Sequence, residues 1–365
     1  MKKLRSSGSA ILLFLSIKAT SLLILLFVSH IRGIRFAHIF SRWDAQWYRR
    51  IAENGYGHIV IAADGRHLSD YAFFPLYPML ERLIHSLTGM SFISSGLLIS
   101  VISSILAVVA IFTVVKSRFS DRFALITVAL WTALPVGLVT TLAYSEALFT
   151  ALAAFSILKT IEKRWITASL LAALAGLTRP TGLAVALSVI FAAVLHLKES
   201  KFDLKAWLAI LIAPLGWLSY MAFVARRVGS WNGYFLITSD WGNSIDGGVS
   251  FFKWILHFFS SGKALEGVLI VGALAILIYL IVDLWSLRVA VPILIYSLAI
   301  VVLALITSGY FGSKYRYLLP VFPLLMPLSK RIASLEGKLL LSLLVALTLT
   351  SSFIGALWLT GSGPL

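Results

Sequence analysis

The run ISSGLLISVISSILAVVAIFTVV at positions 93–115 contains no charged residue and decides the fold class. A helix rises about 1.5 Å per residue, so about 20 apolar residues cross the roughly 30 Å hydrocarbon core of a bilayer. Further apolar runs of similar length lie on both sides of it. The same criterion predicts about eleven spans, at 10–30, 93–115, 123–140, 143–161, 165–179, 181–197, 206–225, 264–283, 289–307, 316–329 and 338–359.

The composition of the whole chain agrees with these runs. Hydrophobic residues make up 59% of the 365 residues and charged residues 13%, about half the charged fraction of soluble proteins. This composition excludes a water-soluble fold. It predicts an all-α polytopic membrane protein, with residues 1–365 forming a single integral-membrane domain. The chain has no cysteine, which excludes disulfides and thiolate metal sites.

The basic residues indicate how the spans are oriented. The net charge is +16, and clusters such as Lys116, Arg118 and Arg122 occur in every second short connection. This positive-inside pattern predicts a cytoplasmic N-terminus and accounts for about half of the basic residues without nucleic acid. The run at 10–30 lacks a signal-peptide cleavage site, so we expect a retained anchor. Short loops and the absence of an organelle signal favour a prokaryotic plasma membrane.

Two long connections, 33–92 and 229–262, lie on the outer side in this topology and are rich in aromatic, charged and glycine residues. We expect the first loop to be catalytic and to carry short interfacial helices, and the second to be substrate-related. In the first loop, the three- and four-residue spacing of Phe40, Trp43, Trp47 and Ile51 predicts a helix over 40–54 that lies on the membrane surface.

Asp44 is the candidate catalytic residue of the first loop. On a helix it shares a face with Trp47 and Tyr48, and a carboxylate that is partly desolvated by aromatic rings can serve as a general base. The alternative is an ion pair with a neighbouring arginine on a solvated surface. Further along, FFPLYP at 73–78 predicts either an interfacial belt or a wall for a lipid chain or a sugar ring.

Four further ionisable residues lie at span ends that face the same side as Asp44 in this topology. They are Glu146, Arg179, Lys314 and Arg316. Charges at membrane depth are costly and are functional candidates by default. Together they would place a proton-accepting carboxylate beside cations that can hold a phosphate. The seven histidines show no metal-ligand spacing; His67, in the first loop, either lines a site or is solvated.

The first-loop motifs WDAQWY (43–48), IAENGY (51–56) and FFPLYP (73–78) resemble the PIG-V family of mannosyltransferases, which belongs to the GT-C glycosyltransferase superfamily. Two later segments are also similar to motifs of that family. TRPTG at 178–182 matches its Thr-Arg-x-x-Gly segment, and RYLLP at 316–320 matches its late arginine-containing stretch.

The resemblance implies a GT-C-type helical bundle that moves mannose from a polyprenyl-phosphate donor to a hydroxyl of a lipid or glycan acceptor, with inversion. It implies Asp44 as the general base. Glu146, at the same side, is our candidate for orienting the acceptor or the base. Arg316, Arg179 and Lys314 become candidates for the donor phosphate. The candidate substrate-binding residues are Trp43, Tyr48, Tyr77 and His67. Because the leaving group is already a phosphate, we predict no cofactor, although some GT-C enzymes use a divalent metal.

Two other classes remain open from the residues alone. A transporter or flippase of a lipid-linked sugar would also carry charges at membrane depth and proline-interrupted spans. Such transporters are commonly built from related halves, and the sequence contains no detectable repeat. A scaffold without catalytic activity would use the aromatic loops as interaction surfaces.

Overall fold

The structure is a computed structural model that describes residues 2–200, 202–309 and 311–361, with side chains for residues 7–200, 202–309 and 314–361. The first nine helices are α1 Lys2–Ile31, α2 Phe36–Ile39, α3 Asp44–Asn54, α4 Leu76–Thr88, α5 Phe92–Lys116, α6 Asp121–Thr132, α7 Glu146–Ile161, α8 Trp165–Gly176 and α9 Gly182–Ser200. The others are α10 Leu204–Ile212, α11 Leu215–Val228, α12 Gly233–Asp240, α13 Val249–Ser260, α14 Ala264–Ser286, α15 Val291–Ile306, α16 Phe311–Leu318, α17 Met326–Ile332 and α18 Gly337–Leu359.

Three short 3₁₀ segments and one hairpin complete the described structure. The 3₁₀ segments are Asp70–Ala72, Pro135–Thr141 and Phe322–Leu325. The antiparallel hairpin pairs β1, Ile59–Ile61, with β2, His67–Ser69, and the register places Val60 opposite Leu68. This hairpin, α2, α3 and α4 all belong to the first long connection, 33–92, which is therefore folded, as its aromatic content suggests.

The predicted helical membrane fold is confirmed, with fewer long spans than expected. In the described ranges, six helical units are long and apolar enough to cross a membrane: α1, α5, α9, α10 with α11, α14 and α18. A seventh is counted if α6 and Pro135–Thr141 form one span bent by 81°. The apolar helices α8 and α15 are shorter. The count of about eleven is therefore not reached by this criterion.

The predicted span at 316–329 is not one helix. The helix α16 ends at Leu318, and the chain continues through Phe322–Leu325 into α17. Prolines at positions 320, 323 and 327 remove backbone donors and clash with the preceding turn, which breaks a helix. The hydroxyl of Tyr296 donates to the carbonyl of Pro320 at 2.9 Å and satisfies one of the freed acceptors.

The predicted helix over 40–54 also begins later than expected. The helix α2 ends at Ile39 and α3 begins at Asp44, because Trp43 adopts a φ of 52° that interrupts the helix. The guanidinium of Arg42 lies 4.1 Å from the centroid of the Trp43 ring. A positive φ at a bulky residue is strained and is found mainly where the surrounding structure requires it. The turn places Asp44 at the N-terminus of α3, where a negative side chain is favoured.

Small residues allow the helices of the bundle to pack closely. The helix α5 packs against α6 and α7, α7 against α8, and α1 against α18. Buried alanines such as Ala107, Ala154 and Ala172 line these contacts, as is usual between membrane helices. At the start of α9, a Cβ on Gly182 would lie 2.5 Å from the carbonyl oxygen of Ala175. Glycine is therefore required where the turn that carries Arg179 meets α8.

Candidate active site

Two carboxylates and two arginines from four separate parts of the chain form one ion network. Arg316 lies between the acids: its Nη2 is 2.5 Å from Oδ2 of Asp44 and 2.5 Å from Oε1 of Glu146, and its Nε donates to the same Glu146 oxygen at 2.6 Å. Arg179 Nη1 lies 2.8 Å from that oxygen. The structure thus brings together four of the candidate residues, the most distant of which are 272 positions apart.

Three members of the network lie at breaks in regular structure, and the fourth lies in a short helix. Asp44 follows the strained Trp43, and Glu146 is the first residue of α7, after the 3₁₀ segment Pro135–Thr141. Arg179 lies in the turn between α8 and α9, and Arg316 lies in the short helix α16. The hydroxyl of Ser145 accepts hydrogen bonds from the Tyr48 hydroxyl at 2.8 Å and from Arg179 at 3.1 Å. The network is therefore braced by neutral groups as well.

The network is electrically balanced and mostly buried. Two carboxylates face two guanidinium groups, which is the arrangement that makes buried charges tolerable. Glu146 is fully buried, Arg179 and Arg316 are nearly so, and the Asp44 side chain is 23% exposed. Among the described residues, Oε2 of Glu146 has no hydrogen-bond partner. Asp44 is therefore the acid that is accessible to a ligand, and Glu146 anchors the two arginines.

A cavity of about 940 Å³ borders the network, with Asp44, Arg179 and Arg316 in its wall. Both long connections, 33–92 and 229–262, contribute to its lining. Trp241, from the second loop, donates from its indole nitrogen to the carbonyl of Ser69 at 3.0 Å and packs edge-on against Trp47 at 5.0 Å. The cavity is large enough for a sugar together with part of a lipid, and its wall combines aromatic rings with three arginines, Arg66, Arg179 and Arg316.

The other candidate residues are not all at this cavity. Tyr48 lines it, with Trp43, Tyr77, His67 and Lys314 absent from its wall. The Tyr77 hydroxyl is buried, donating to the carbonyl of Gly96 at 2.8 Å and lying 2.9 Å from Ser100. His67 is exposed on the hairpin, in register with Ile61.

Lys314 and Trp43 do not line the cavity; each makes contacts that stabilise the fold nearby. The Lys314 ammonium donates to the carbonyls of Ala304 at 2.8 Å and Thr307 at 2.6 Å, at the end of α15. Lysine at a helix C-terminus satisfies carbonyls that have no partner within the helix. Trp43 packs beneath Arg42 at the turn before Asp44. Both residues thus hold segments that carry Arg316 and Asp44.

Several residues of the cavity wall were not singled out from the sequence. They include Arg66, Trp217, Tyr234, Trp241 and Asn243. The aromatic content of 229–262 predicts a substrate-related loop, and three of these residues belong to it. Arg66, on the hairpin, donates to the carbonyl of Asp240 at 3.3 Å and so joins the two loops over the cavity.

A carboxylate elsewhere in the first loop has a structural place. Asp70 accepts hydrogen bonds from the backbone amides of Gly57 and His58 at 2.9–3.1 Å. Burial raises the pKa of Asp70, and the two amides partly oppose that effect. No group of three His, Asp or Glu side chains with metal-binding geometry occurs within the described ranges.

Comparison with known proteins supports a glycosyltransferase architecture. The family model described as dolichyl-phosphate-mannose-protein mannosyltransferase matches residues 73–220, a range that contains Glu146 and Arg179. Curated protein sequences give no match to the chain.

Two solved structures share the fold. ArnT from Cupriavidus metallidurans bound to undecaprenyl phosphate is 14% identical, with a TM-score of 0.55 over 91% of this chain and 63% of that one. The apo state of the same protein is 15% identical, with a TM-score of 0.50 over 82% of this chain and 56% of that one. The chain thus spans less than two thirds of the length of ArnT.

The protein is therefore an integral, multi-pass membrane protein with the helical fold of GT-C glycosyltransferases. The family match over 73–220 supports the same superfamily.

Proposed function

We propose that the protein is a membrane glycosyltransferase that moves a sugar from a polyprenyl-phosphate donor to a hydroxyl of a lipid or glycan acceptor. The observation that carries the proposal is the exposed edge of Asp44 in the wall of the 940 Å³ cavity, beside Arg316 and Arg179. The family description that matches 73–220 names a dolichyl-phosphate-mannose donor, and the ArnT structure contains undecaprenyl phosphate. Both support a polyprenyl-phosphate donor.

Within this class we propose mannose as the sugar. The first-loop motifs resemble the PIG-V mannosyltransferases, and the description of the matching family also names mannose. The acceptor hydroxyl belongs to a lipid or a glycan that reaches the cavity from the membrane or from the aqueous side. The wall supports both parts of such a ligand, since Leu183 and Leu303 are apolar and Asn243 and Ser308 are polar.

In the proposed reaction, Asp44 acts as the general base. Its carboxylate accepts the proton of the acceptor hydroxyl while that oxygen attacks the anomeric carbon. A new carbon–oxygen bond forms as the bond from the anomeric carbon to the phosphate oxygen breaks. The electron pair leaves with the phosphate, and a single displacement inverts the anomeric configuration.

Arg316 and Arg179 stabilise the leaving phosphate in this proposal. Charge-assisted hydrogen bonds from a guanidinium fork are strong and directional, and preorganised donors aimed at developing charge lower the barrier. Arg316 has a second effect, since it also binds Asp44. When the phosphate takes over part of its hydrogen bonding, the Asp44 oxygen becomes available to the acceptor. Glu146 keeps both arginines in place, and Tyr48 contacts the sugar.

The experiment uses the purified protein in lipid nanodiscs and in sealed vesicles, with radiolabelled polyprenyl-phosphate mannose and an acceptor lipid extract. We expect label to appear in a new glycosylated product. Movement of the donor across vesicles without product would instead indicate a flippase, and neither result would indicate a scaffold. Polyprenyl-phosphate glucose in parallel reactions tests the assignment of mannose.

The Asp44→Asn variant tests the general base. We expect the transfer rate to fall by about 10²–10⁴-fold while donor binding is retained, because general-base catalysis contributes that much. Asp121→Asn is the matched control, since Asp121 is an exposed aspartate paired with Lys116, away from the cavity. An Asp44→Asn variant that transfers sugar as fast as the wild type would remove Asp44 from this role.

We further propose that the cavity faces the outer side of a prokaryotic plasma membrane, with the N-terminus in the cytoplasm. The chain contains no cysteine, so each introduced cysteine is unique. In intact cells, a membrane-impermeant maleimide should label Asp64→Cys on the hairpin turn and leave Glu162→Cys, at the end of α7, unlabelled. Labelling of Glu162→Cys without labelling of Asp64→Cys would show that the protein has the opposite orientation in the membrane.

A further inference from the structure

A second cavity, of about 440 Å³, lies between the end of α3, the helix α4 and the helix α11. It is separate from the cavity that contains Asp44. Its wall includes Ile51, Leu76, Met79 and Phe223. Among the described residues that line it, none is acidic and Arg82 is the charged one.

The aromatic wall of this cavity presents ring faces, because its phenol groups are already bonded elsewhere. The Tyr220 hydroxyl lies 2.8 Å from the carbonyl of Tyr71 and 2.7 Å from that of Phe73, and its single proton is shared between the two. The Tyr56 hydroxyl donates to the same Phe73 carbonyl at 2.8 Å. Water in a cavity needs two to four polar partners, and this wall offers few. An apolar chain fits it better.

The cavity borders exposed apolar side chains on the two helices that flank it. Met79, in its wall, is 64% exposed, and Leu83 follows one turn later on α4. On α11, Leu215 and Leu218 are exposed beside Ser219, which lines the cavity. Exposed apolar residues on both flanking helices would give a membrane lipid direct entry.

One guanidinium group, that of Arg82, lines this cavity, and a second, that of Arg227, stacks against a ring of its wall. Arg82 donates from Nε to the carbonyl of Ala52 at 2.6 Å and from Nη2 to that of Ile51 at 3.2 Å. These bonds use two of the five N–H groups of an arginine, so three remain for a ligand. The guanidinium carbon of Arg227 lies 5.5 Å from the centroid of the Phe223 ring, which lines the cavity.

We propose that this cavity binds one anionic phospholipid of the bilayer, with an acyl chain against the aromatic rings and the phosphate on Arg82 and Arg227. The apolar wall, the exposed apolar residues beside it and the two arginines, one in the wall and one against a ring of the wall, are complementary to that chemistry. The site lies next to the active site, since the Leu177 carbonyl in its wall accepts from the Leu76 amide at 2.9 Å, two residues before Arg179. The lipid braces that turn.

The test measures bound lipid directly and is independent of sugar transfer. The protein in neutral detergent is titrated with phosphatidylglycerol or with phosphatidylcholine of the same acyl chains, and native mass spectrometry counts the retained lipid. We expect one phosphatidylglycerol per protein, retained at least tenfold more tightly than phosphatidylcholine. Equal retention of the two lipids would show only unspecific surface lipid and would overturn the proposal.

Two variants locate the site. Arg227→Gln should lower phosphatidylglycerol retention at least tenfold, and its matched control is Arg226→Gln, the adjacent exposed arginine. Equal losses in both variants would indicate general surface charge and would also overturn the proposal. Ser219→Phe fills the cavity and should reduce the retention of both lipids; unchanged retention in that folded variant would place the lipid elsewhere. If sugar transfer is never detected, these lipid measurements still decide the proposal.

Discussion

Glu146 and Glu81 are both fully buried, but their surroundings are opposite. One Glu146 oxygen is within 2.8 Å of nitrogens from two arginines. Glu81, on α4, packs against Gly96 of α5, and neither of its oxygens has a hydrogen-bond partner among the described residues. Burial without a cation raises the pKa of Glu81 to about 9. A neutral acid thus occupies one region and a charged network the other.

The difference shows that burial alone does not identify a functional acid. A buried ion network is costly to assemble, and removing one member leaves uncompensated charge. A neutral buried carboxyl costs less, and its loss should leave the site intact. The following variants test this contrast between the two regions.

Glu146→Gln should have the largest effect. It removes the charge that compensates Arg179 and Arg316, and breaking a buried ion pair costs about 3–5 kcal/mol. Sugar transfer should fall at least about a hundredfold, since the arginines lose their anchor. Transfer rate and unfolding temperature in detergent check both effects. Glu162→Gln is the control, since this exposed glutamate directly follows the same helix and pairs with Lys159. Retained stability and activity in Glu146→Gln would contradict the network.

Glu81→Gln should stabilise the protein in a pH-dependent way. The folded pKa is about 9, against a usual value near 4.5, so the wild type loses stability as pH rises from about 4.5 to 9. The variant avoids a loss of up to about 3 kcal/mol at pH 7. Unfolding in detergent at pH 5 and pH 8 should show a gap between variant and wild type that widens at pH 8.

Sugar transfer by Glu81→Gln should remain near the wild-type rate. Glu53→Gln, at an exposed position on α3, should show the same pH dependence of stability as the wild type. Parallel pH profiles for Glu81→Gln and the wild type would show that Glu81 is ionised in the folded protein.

Arg316→Lys should have a smaller effect than the loss of Glu146. The charge remains, but an ammonium cannot reproduce the fork that reaches Asp44 and Glu146 together. Losing one charge-assisted hydrogen bond costs about 1.5–3 kcal/mol, so we expect transfer to fall roughly 10–100-fold. Arg331→Lys, at an exposed pair with Asp283, should change nothing. The measurement is steady-state kinetics with varied donor concentration. If Arg316→Lys matches the wild type as Arg331→Lys does, Arg316 does not bind the donor phosphate.

Gly96→Ala should have the smallest effect. A Cβ at this position would overlap Glu81 and lie 2.9 Å from the Cβ of Ala143. Overpacking of this kind costs about 1–3 kcal/mol. Gly272→Ala, where nothing lies within 4 Å, is the control. Combining Glu81→Ala with Gly96→Ala should raise the unfolding temperature part of the way back to that of the wild type. If it does not rise at all, residues 81 and 96 do not contact each other.

Much of the fold follows from local sequence. The runs at 10–30, 93–115 and 338–359 are long enough to cross a bilayer, and the corresponding helices α1, α5 and α18 are present. The two predicted helices that the structure interrupts, 316–329 and 40–54, are interrupted for local reasons. Three prolines break the run at 316–329, and the positive φ of Trp43 interrupts the helix predicted over 40–54. Hydropathy counts apolar residues and does not register either effect.

Less of the candidate site could be predicted. The charges at 44, 146, 179 and 316 stand out in an apolar chain, but their hydrogen bonds connect positions up to 272 residues apart. The sequence also does not separate Lys314 from Arg316, although only Arg316 borders the cavity. For Glu81 the sequence misleads in the other direction. It lies in an amphipathic helix, which suggests an exposed glutamate, but it is fully buried.

The sequence by itself determined the helical membrane character of the protein, the folded first loop and the small set of charges that burial makes costly. Those properties depend on composition and spacing along the chain. Only the tertiary structure decided that Arg316 joins Asp44 to Glu146, that Tyr77 and Lys314 support neighbouring segments, and that Glu81 has no ion partner among the described residues. These depend on packing between distant segments, because Coulombic and hydrogen-bond energies fall steeply with distance in space and not with separation in sequence.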